Sequence, residues 1–591
     1  MTVRAGVAGE TARAATVTIS LSLVGIAAAF AIWAIGITAT DVRGMNDLGL
    51  VSVLPPATVA GPMLLTLSFA LVLLAEPMRT RLVVLHIVAM VFMLYALPTL
   101  VEEVPRFNVA WRHVGITEVL TRTGEIHPEI DAYFSWPGFF ALAALLTEIA
   151  GLDSALDLVA WAPVAFNLLY LAPLVLIYRA GAQDQRVVWL AAWVFYVANW
   201  IGQDYFAPQA FAYFLYLMIL AIALTWFGRD PDPIPPIPRS WFRPFKPVIT
   251  PHLTPVQRAG LFSILVLFFA VTVVSHQLTP FAAVGVILAL VVVRRISPTG
   301  LPIVMLVVLG TWISYMTVTY MEGHLRDMVA RIGAVDTAVA ANLTDRFSGS
   351  DQHVFVLSVR AMTTLVLWSL AAYGAARRVV AGEPDLTWLF LAGAPFGLFL
   401  LQDYGGEILL RIYLFSLPFM SLLAANALLG LRSAPGWRPV TATALALLLL
   451  LGGFLVSRYG NERMDIASAA EVEGIEWLYA TAPHDTLLVA ASDNIFWRHR
   501  DYELYRYDIV TDELLEMDTR RVVERMVDTR GGRAYLILSR AQRAALELRY
   551  GLQPSEWDEI QQRFDTAPEL SLAYENDDIR IYEVSVGGTA S

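Results

Sequence analysis

Arginine pairs occupy alternate gaps between the apolar runs of this chain, and that alternation prescribes a membrane topology. The gaps hold Arg79/Arg81, Arg179/Arg186, Arg229 to Arg258, Arg294/Arg295, Arg377/Arg378 and Arg432/Arg438. Cytoplasmic loops of membrane proteins are enriched in Lys and Arg. These gaps are therefore expected on the cytoplasmic side, and the ones between them outside. The outward gaps carry Glu102, Glu103, His113, Asp204, His276, Asp403 and Glu407, side chains suited to acid–base chemistry.

Composition agrees with a polytopic α-helical membrane protein. Of 591 residues, 57% are hydrophobic and 16% charged, where a soluble chain carries about 25% charge. Many apolar runs reach the roughly 20 residues needed to span a bilayer, so the lipid bilayer is the first expected partner. The charge is unevenly placed: from Ser457 onward 15 arginines face 26 acids, a balance of −11, and the remaining charges cancel. Such a tail is not expected to lie on anionic lipid, and no nucleic-acid partner is expected. There is no cysteine, which excludes disulfide and thiol chemistry. Lys246 is the only lysine against 40 arginines, a bias that fits a GC-rich prokaryotic genome and hence a prokaryotic plasma membrane.

Thirteen spans are expected: about Val17–Thr38, Ala57–Leu74, Leu82–Leu100, Leu156–Tyr178, Val187–Ile201, Phe206–Phe227, Ala259–Val274, Pro280–Val293, Leu301–Val318, Val354–Ala376, Leu386–Leu401, Ile408–Leu429 and Thr441–Val456. The first run has the basic start of a signal peptide, but its length favours an uncleaved helix. Phe134–Ala150 decides the topology. If it spanned, Arg179/Arg186 and every later loop would invert. Laid along the outer surface with Tyr133 and Trp136 at headgroup depth, it keeps the arginine rule to the end. An odd number of spans with a cytoplasmic N-terminus then places the tail outside.

The expected organisation is two additional N-terminal helices over 1–81, a transmembrane core over 82–456 with outward loops 101–155 and 319–353, and a soluble extracytoplasmic α/β domain over 457–591. Arg229–Pro255 reads as a proline-rich tether. Tyr320–His353 fits either an ordering substrate loop or a simple connector. In the tail, Ala469–Ala480 has helical spacing, Thr486–Ala491 and Ala534–Ser539 read as buried strands, and Ile579–Val584 alternates like a half-exposed strand. The tail has no Gly-rich phosphate loop, metal-spaced His cluster or nucleophile elbow, so it reads as a recognition or scaffolding module.

Several residues are candidates for chemistry. Glu102 and Glu103 follow a helix end, with Arg106, Trp111, Arg112 and His113 close behind. A carboxylate at the mouth of a low-dielectric cavity can act as a general base because desolvation raises its pKa; a merely solvated pair is the alternative. Asp204, in Gly202-Gln203-Asp204-Tyr205-Phe206-Ala207-Pro208-Gln209, is either a cavity-facing functional acid or an N-cap before Phe206. His276 fits a phosphate donor, a base or a packing residue. Arg411 presents a planar fork suited to phosphate, with Arg360 a second candidate; snorkelling, or a local pair with Glu407 one turn earlier, would also account for Arg411. Asn342-Leu343-Thr344 matches a glycan acceptor pattern and reads as incidental.

The order of these parts resembles the GT-C superfamily of membrane glycosyltransferases, which includes protein O-mannosyltransferases, aminoarabinose transferases of lipid A and oligosaccharyltransferases. The resemblance covers roughly Leu82–Val456, with the tail similar to outward domains that many members append. Glu102/Glu103 match the family's outward acid after its first core helix, although Asp is common there. Tyr133-Phe134-Ser135-Trp136-Pro137-Gly138 matches its surface-parallel helix, Asp204 its second acid, and Arg411 a late arginine near the lipid phosphate.

The resemblance implies an inverting glycosyltransferase of cell-envelope polysaccharide assembly. A polyprenyl-phosphate-linked sugar would be the donor, and a glycan, protein or lipid the acceptor. Glu102, Glu103 and Asp204 would be catalytic. Arg106, His113, His276, Arg360, Asp403, Glu407 and Arg411 would bind substrate. A divalent cation, Mg or Mn, would be held by Glu103 and Asp204 if one is used. A flippase of lipid-linked saccharides would instead place ionisable groups near the midplane of broken helices, and a non-catalytic scaffold of an envelope complex would need neither.

Overall fold

The computed structural model describes residues 2–229, 252–318, 348–381, 387–400, 407–429, 437–529 and 533–584. Most of the proline-rich tether, most of the 320–353 loop and Asp403 lie outside the described residues.

The chain is a polytopic helical membrane protein with a C-terminal α/β unit. Eight described helices are long and apolar enough to cross a membrane: Ile19–Thr38, Pro56–Leu73, Ala162–Gly181, Pro208–Trp226, Pro255–Ser275, Asp351–Val380, Ile408–Leu429 and Thr441–Tyr459. Each falls on an expected span. The other five expected spans are shorter apolar helices of 10–17 residues, so length alone does not confirm the count of 13. Proline opens many of the helices, with Pro56, Pro163, Pro208, Pro255, Pro280 and Pro302 in the first two positions. Its missing N–H has no partner in a first turn anyway.

The expected span Leu82–Leu100 is broken. It runs Thr80–Tyr95, turns at Ala96, and resumes over Leu97–Val101. Pro98 cannot donate to the Leu94 carbonyl and its ring crowds that oxygen. The hydroxyl of Tyr459, at the end of the last long helix, donates to Leu94 instead.

Contacts sort the helix ends into two groups. At one end Arg186 pairs with Glu76 at 3.2 Å, and the Arg229 N–H donates to the Arg295 carbonyl at 2.8 Å. At the other, Arg463 pairs with Asp47, Arg458 with Asp204 at 2.7 Å, and His353 Nδ1 lies 3.2 Å from Asn461 Oδ1. Arg186 and Arg295 thus mark one end of the bundle, and Asp47 and Asp204 the other.

The Phe134–Ala150 segment folds as a short helix, Gly138–Ala150, of 13 residues, about 20 Å long. Both flanks return to the same apolar cluster: Phe134 before it, and Ala155 and Val159 after it, pack with Ala110 and Val114. Leu145, Leu146 and Ile149 point outward, and Phe139, Phe140 and Ala143 point in.

Sequence patterning missed the helix Asn108–Thr123 in the 101–155 loop, which ends on Gly124 in the left-handed region (φ 68). This helix carries the C-terminal unit. Trp111 packs on Phe496 and His499, Tyr502 donates to Asp131 Oδ2 at 2.9 Å, and Gly115 meets the Arg498 carbonyl. The unit holds a five-stranded sheet: β1 (Leu487–Ala490), β2 (Arg506–Ile509), β3 (Ala534–Ser539), β4 (Leu570–Glu575) and β5 (Ile579–Val584). The order is β2-β1-β3-β5-β4. β1 is parallel to β2 and β3, while β5 is antiparallel to β3 and β4. β1, β3 and β5 match the expected strands. β2 is half-buried throughout and lacks the apolar run that marks a central strand.

A Cβ on Gly115 would collide with backbone, which cannot swing aside as a side chain can. Gly115→Ala is expected to cost about 1–3 kcal/mol by overpacking, read as a lower thermal midpoint of the purified chain and faster proteolysis of the C-terminal unit. An unchanged midpoint would contradict this docking.

Candidate active site

Four charged side chains are withdrawn from water at the acidic end. Asp204 and Arg458 are each 2% exposed and pair at 2.7 Å, and Asn167 Nδ2 donates to the other Asp204 oxygen at 2.6 Å. Arg106 and Glu462 pair at 2.7 Å, 8% and 0% exposed. Isolated charges in such surroundings are costly, and pairing with hydrogen bonding is what makes them tolerable.

Glu102 sits against this network. It caps the Leu97–Val101 turn in extended backbone, and both of its carboxyl oxygens are hidden from solvent. Burial pushes its carboxyl up to about 7 against the pull of Arg106. The same cause raises Glu462, where Glu102 and Asp465 add repulsion. Burial also raises Asp465, opposed by Arg106, Arg549 and Arg360. Glu102 lines a cavity of about 100 Å³ together with Tyr95, Glu103, Arg106, Tyr205 and Arg458. A carboxyl that titrates near neutrality beside a cavity has the character of a general base.

Glu103 behaves differently. Its carboxylate accepts from the Ala469 N–H at 3.1 Å and pairs with Arg43 at 3.2 Å, and these contacts, the backbone bond first, hold it below the usual range.

A second group surrounds the stacked rings of Tyr205 and His113, whose centroids are 5.8 Å apart and whose planes are nearly parallel at 3°. His113 Nδ1 faces the Phe206 carbonyl at 2.8 Å, so Nδ1 carries the hydrogen and Nε2 is left as a buried acceptor with no hydrogen-bond partner among the described residues. Burial lowers His113 to about 4. His276 is kept uncharged by burial first, then by the fields of Arg411 and His113. Its Nδ1 accepts from the N–H groups of Leu278 and Thr279, both at 3.1 Å, and so starts the Thr279–Val292 helix. Arg411 pairs with Glu407 at 2.9 Å one turn away, and both act on the Tyr133 hydroxyl.

The sequence candidates therefore fall into two neighbouring groups. Glu102, Arg106 and, through Arg458, Asp204 form one. Arg360 joins it by donating Nε to the Ser457 carbonyl at 2.8 Å, rather than joining Arg411. His113, His276, Glu407 and Arg411 form the other. The 100 Å³ cavity includes neither Asp204 nor Arg411. Asp204 is not an N-cap: the following helix starts at Pro208 behind Ala207, because proline sets the first helical position. The carboxylates of Glu103 and Asp204 are each engaged by an arginine and an N–H donor, and among the described residues no three His, Asp or Glu side chains are grouped for a metal.

Arg458, Glu462 and Asp465 escaped the sequence reading. They follow the last apolar run and were counted with the soluble tail. The signal available was local: Arg458 ends a clean span, and Glu462 and Asp465 stand about one helical turn apart.

No family model matches the sequence, and no curated protein does. Solved structures are similar in fold. ArnT from Cupriavidus metallidurans bound to undecaprenyl phosphate superposes with TM-score 0.50 at 13% identity, covering 85% of this chain and 98% of that one. The Archaeoglobus fulgidus oligosaccharyltransferase tethered to an acceptor peptide gives 0.48 at 12% identity, over 80% of this chain and 71% of that one. Arabinofuranosyltransferase AftD from Mycobacteria gives 0.40 at 14% identity, over 81% of this chain and 40% of that one. The chain has the GT-C fold.

Asp204→Asn is expected to leave Arg458 buried without a counter-charge, at a cost of about 3–5 kcal/mol. The double variant Asp204→Asn, Arg458→Met should regain most of that loss in thermal midpoint. Equal instability of both variants would show that the pair is not what holds these elements together.

Proposed function

We propose that this chain is an inverting glycosyltransferase that moves a sugar from a polyprenyl-phosphate-linked donor to an acceptor hydroxyl outside the cytoplasm. It would work in a prokaryotic plasma membrane during cell-envelope glycan assembly. The observation that carries the reading is Glu102, a cavity carboxyl raised by burial to about 7 at the acidic end of a GT-C bundle. The likeness to an ArnT structure holding undecaprenyl phosphate supports the donor class.

In this mechanism Glu102 removes the proton from the acceptor hydroxyl, whose oxygen forms a bond to the anomeric carbon. The bond from that carbon to the phosphate oxygen breaks, and its electron pair leaves with the phosphate. Inversion requires attack and departure on opposite faces of the sugar. The two groups of residues meet at Tyr205, which lines the Glu102 cavity and stacks on His113; Glu102 serves in the first group and Arg411 receives the phosphate in the second. Positive charge where negative charge develops lowers the barrier. Asp204 positions Arg458 at the cavity wall. His276, with Nδ1 occupied as an acceptor, presents Nε2–H as a donor toward the Arg411 side.

Synthetic polyprenyl-phosphate hexoses and pentoses provide the test. Glu102→Gln should lower transfer by about 10²–10⁴-fold, the usual worth of a general base, while Glu103→Gln should stay within a few-fold. The working form is the carboxylate, so the wild-type rate should rise between pH 6 and 8 and level off above the midpoint near 7. Full activity in Glu102→Gln, or a rate independent of pH over that range, would remove Glu102 from the mechanism.

A further inference from the structure

A second cavity is not used by the chemistry above. It measures about 320 Å³, inside the range of small-molecule sites at roughly 300–1,000 Å³. Three parts of the chain form it: the loop after the first helix through Arg43, the carboxylate of Glu103, and the C-terminal unit through Ala469, Arg540, Asp577 and Asp578. Glu103 also lines the Glu102 cavity, so the two spaces share one residue.

Local structure explains the meeting. Glu102 is extended (φ −92, ψ 145), and successive side chains of an extended segment turn to opposite sides. Glu102 therefore faces Arg106 and Glu462, and Glu103 faces the C-terminal unit. The β4–β5 turn is pinned to the start of the Ala469–Thr481 helix by Asn576 Nδ2, which donates to the Ala470 carbonyl at 2.9 Å. This brings Asp577 and Asp578 to the cleft, with Asp577 exposed. The Arg540 Nε lies 3.9 Å from Asp578 and 4.0 Å from Glu471, beyond hydrogen-bond range, so these two carboxylates hold its fork only loosely.

The wall mixes two guanidinium groups with three carboxylates. An excess of negative charge disfavours a phosphate or carboxylate ligand. Among the described residues the lining has no aromatic face or long aliphatic stripe for a lipid tail; Val42, Ile466 and alanines are its apolar members. Forked donors beside carboxylate acceptors match hydroxyl groups, each of which both donates and accepts.

We propose that this cleft binds a neutral sugar of the acceptor and leads its hydroxyl past Glu103 to Glu102. The inference rests on the transferase reading and adds the acceptor's chemical class and a task for the C-terminal unit.

The full chain in lipid nanodiscs, free of glycoside detergent, is mixed with methyl α-mannopyranoside, methyl β-glucopyranoside or methyl α-arabinofuranoside. Binding is read by saturation-transfer NMR. At least one glycoside should give a signal in the wild type. That signal should fall fivefold or more in both Arg540→Ala and Asp577→Asn, with the thermal midpoint and the slow hydrolysis of a polyprenyl-phosphate sugar unchanged. No signal from any glycoside, or equal signals in wild type and variants, overturns the cleft while hydrolysis still upholds the transferase reading. A chain that binds glycosides through Arg540 and Asp577 but never cleaves a polyprenyl-phosphate sugar keeps the cleft and overturns the transferase.

Discussion

Charge is costly in hydrocarbon, and the bundle meets that constraint by placing its ionisable groups at its two ends. Arg186 beside Glu76 marks one end. Acids gather at the other, where the side chains that could act on a substrate also lie. Within that acidic end the same constraint acts a second time. Arg458–Asp204 and Arg106–Glu462 are removed from water almost completely, and each persists because its partner is fixed by a different element of the chain. Arg458 comes from the end of the last long helix and Asp204 from the turn before Pro208. Arg106 comes from the 101–155 loop and Glu462 from the connection into the C-terminal unit.

Docking of the C-terminal unit is what makes Glu102 unusual. The helix Asn108–Thr123 receives it through Trp111, Gly115 and the Asp131–Tyr502 bond. Glu462 and Asp465 lie buried beside Glu102, and burial is the first cause that raises all three carboxyls. Glu102, next to the cavity, carries the consequence as a proton held to about pH 7. Glu103, one residue further, faces the other way, keeps its charge and joins the two units through Ala469. Two adjacent and identical residues thus differ in chemistry because an extended backbone points them into different surroundings.

Local signals were legible in the sequence. Arginine placement matched the helix ends marked by Arg186 and Arg295, apolar run lengths gave the long helices, and the short Phe134–Ala150 run with its Trp-Pro-Gly start gave a separate short helix. β1, β3 and β5 declared themselves by apolar runs or alternation. Long-range consequences were not legible. The helix Asn108–Thr123 mixes Arg112, His113 and Glu118 with its apolar residues and buries one face only through tertiary contact. Arg458, Glu462 and Asp465 look like ordinary tail charges until the docked domain encloses them. The different surroundings of Glu102 and Glu103, invisible in residue type alone, follow from one backbone torsion and one hydrogen bond to Ala469.

The account stands on the acidic end facing away from the cytoplasm. The natural chain has no cysteine, so a single introduced thiol reports its own side of the membrane. Ser555→Cys in the C-terminal unit and Gln183→Cys at the arginine end, both exposed, can be treated in intact cells with a membrane-impermeant maleimide. The account predicts rapid labelling at position 555 and labelling at 183 only after the membrane is permeabilised. Labelling at 183 with protection at 555 would turn the molecule over and contradict it.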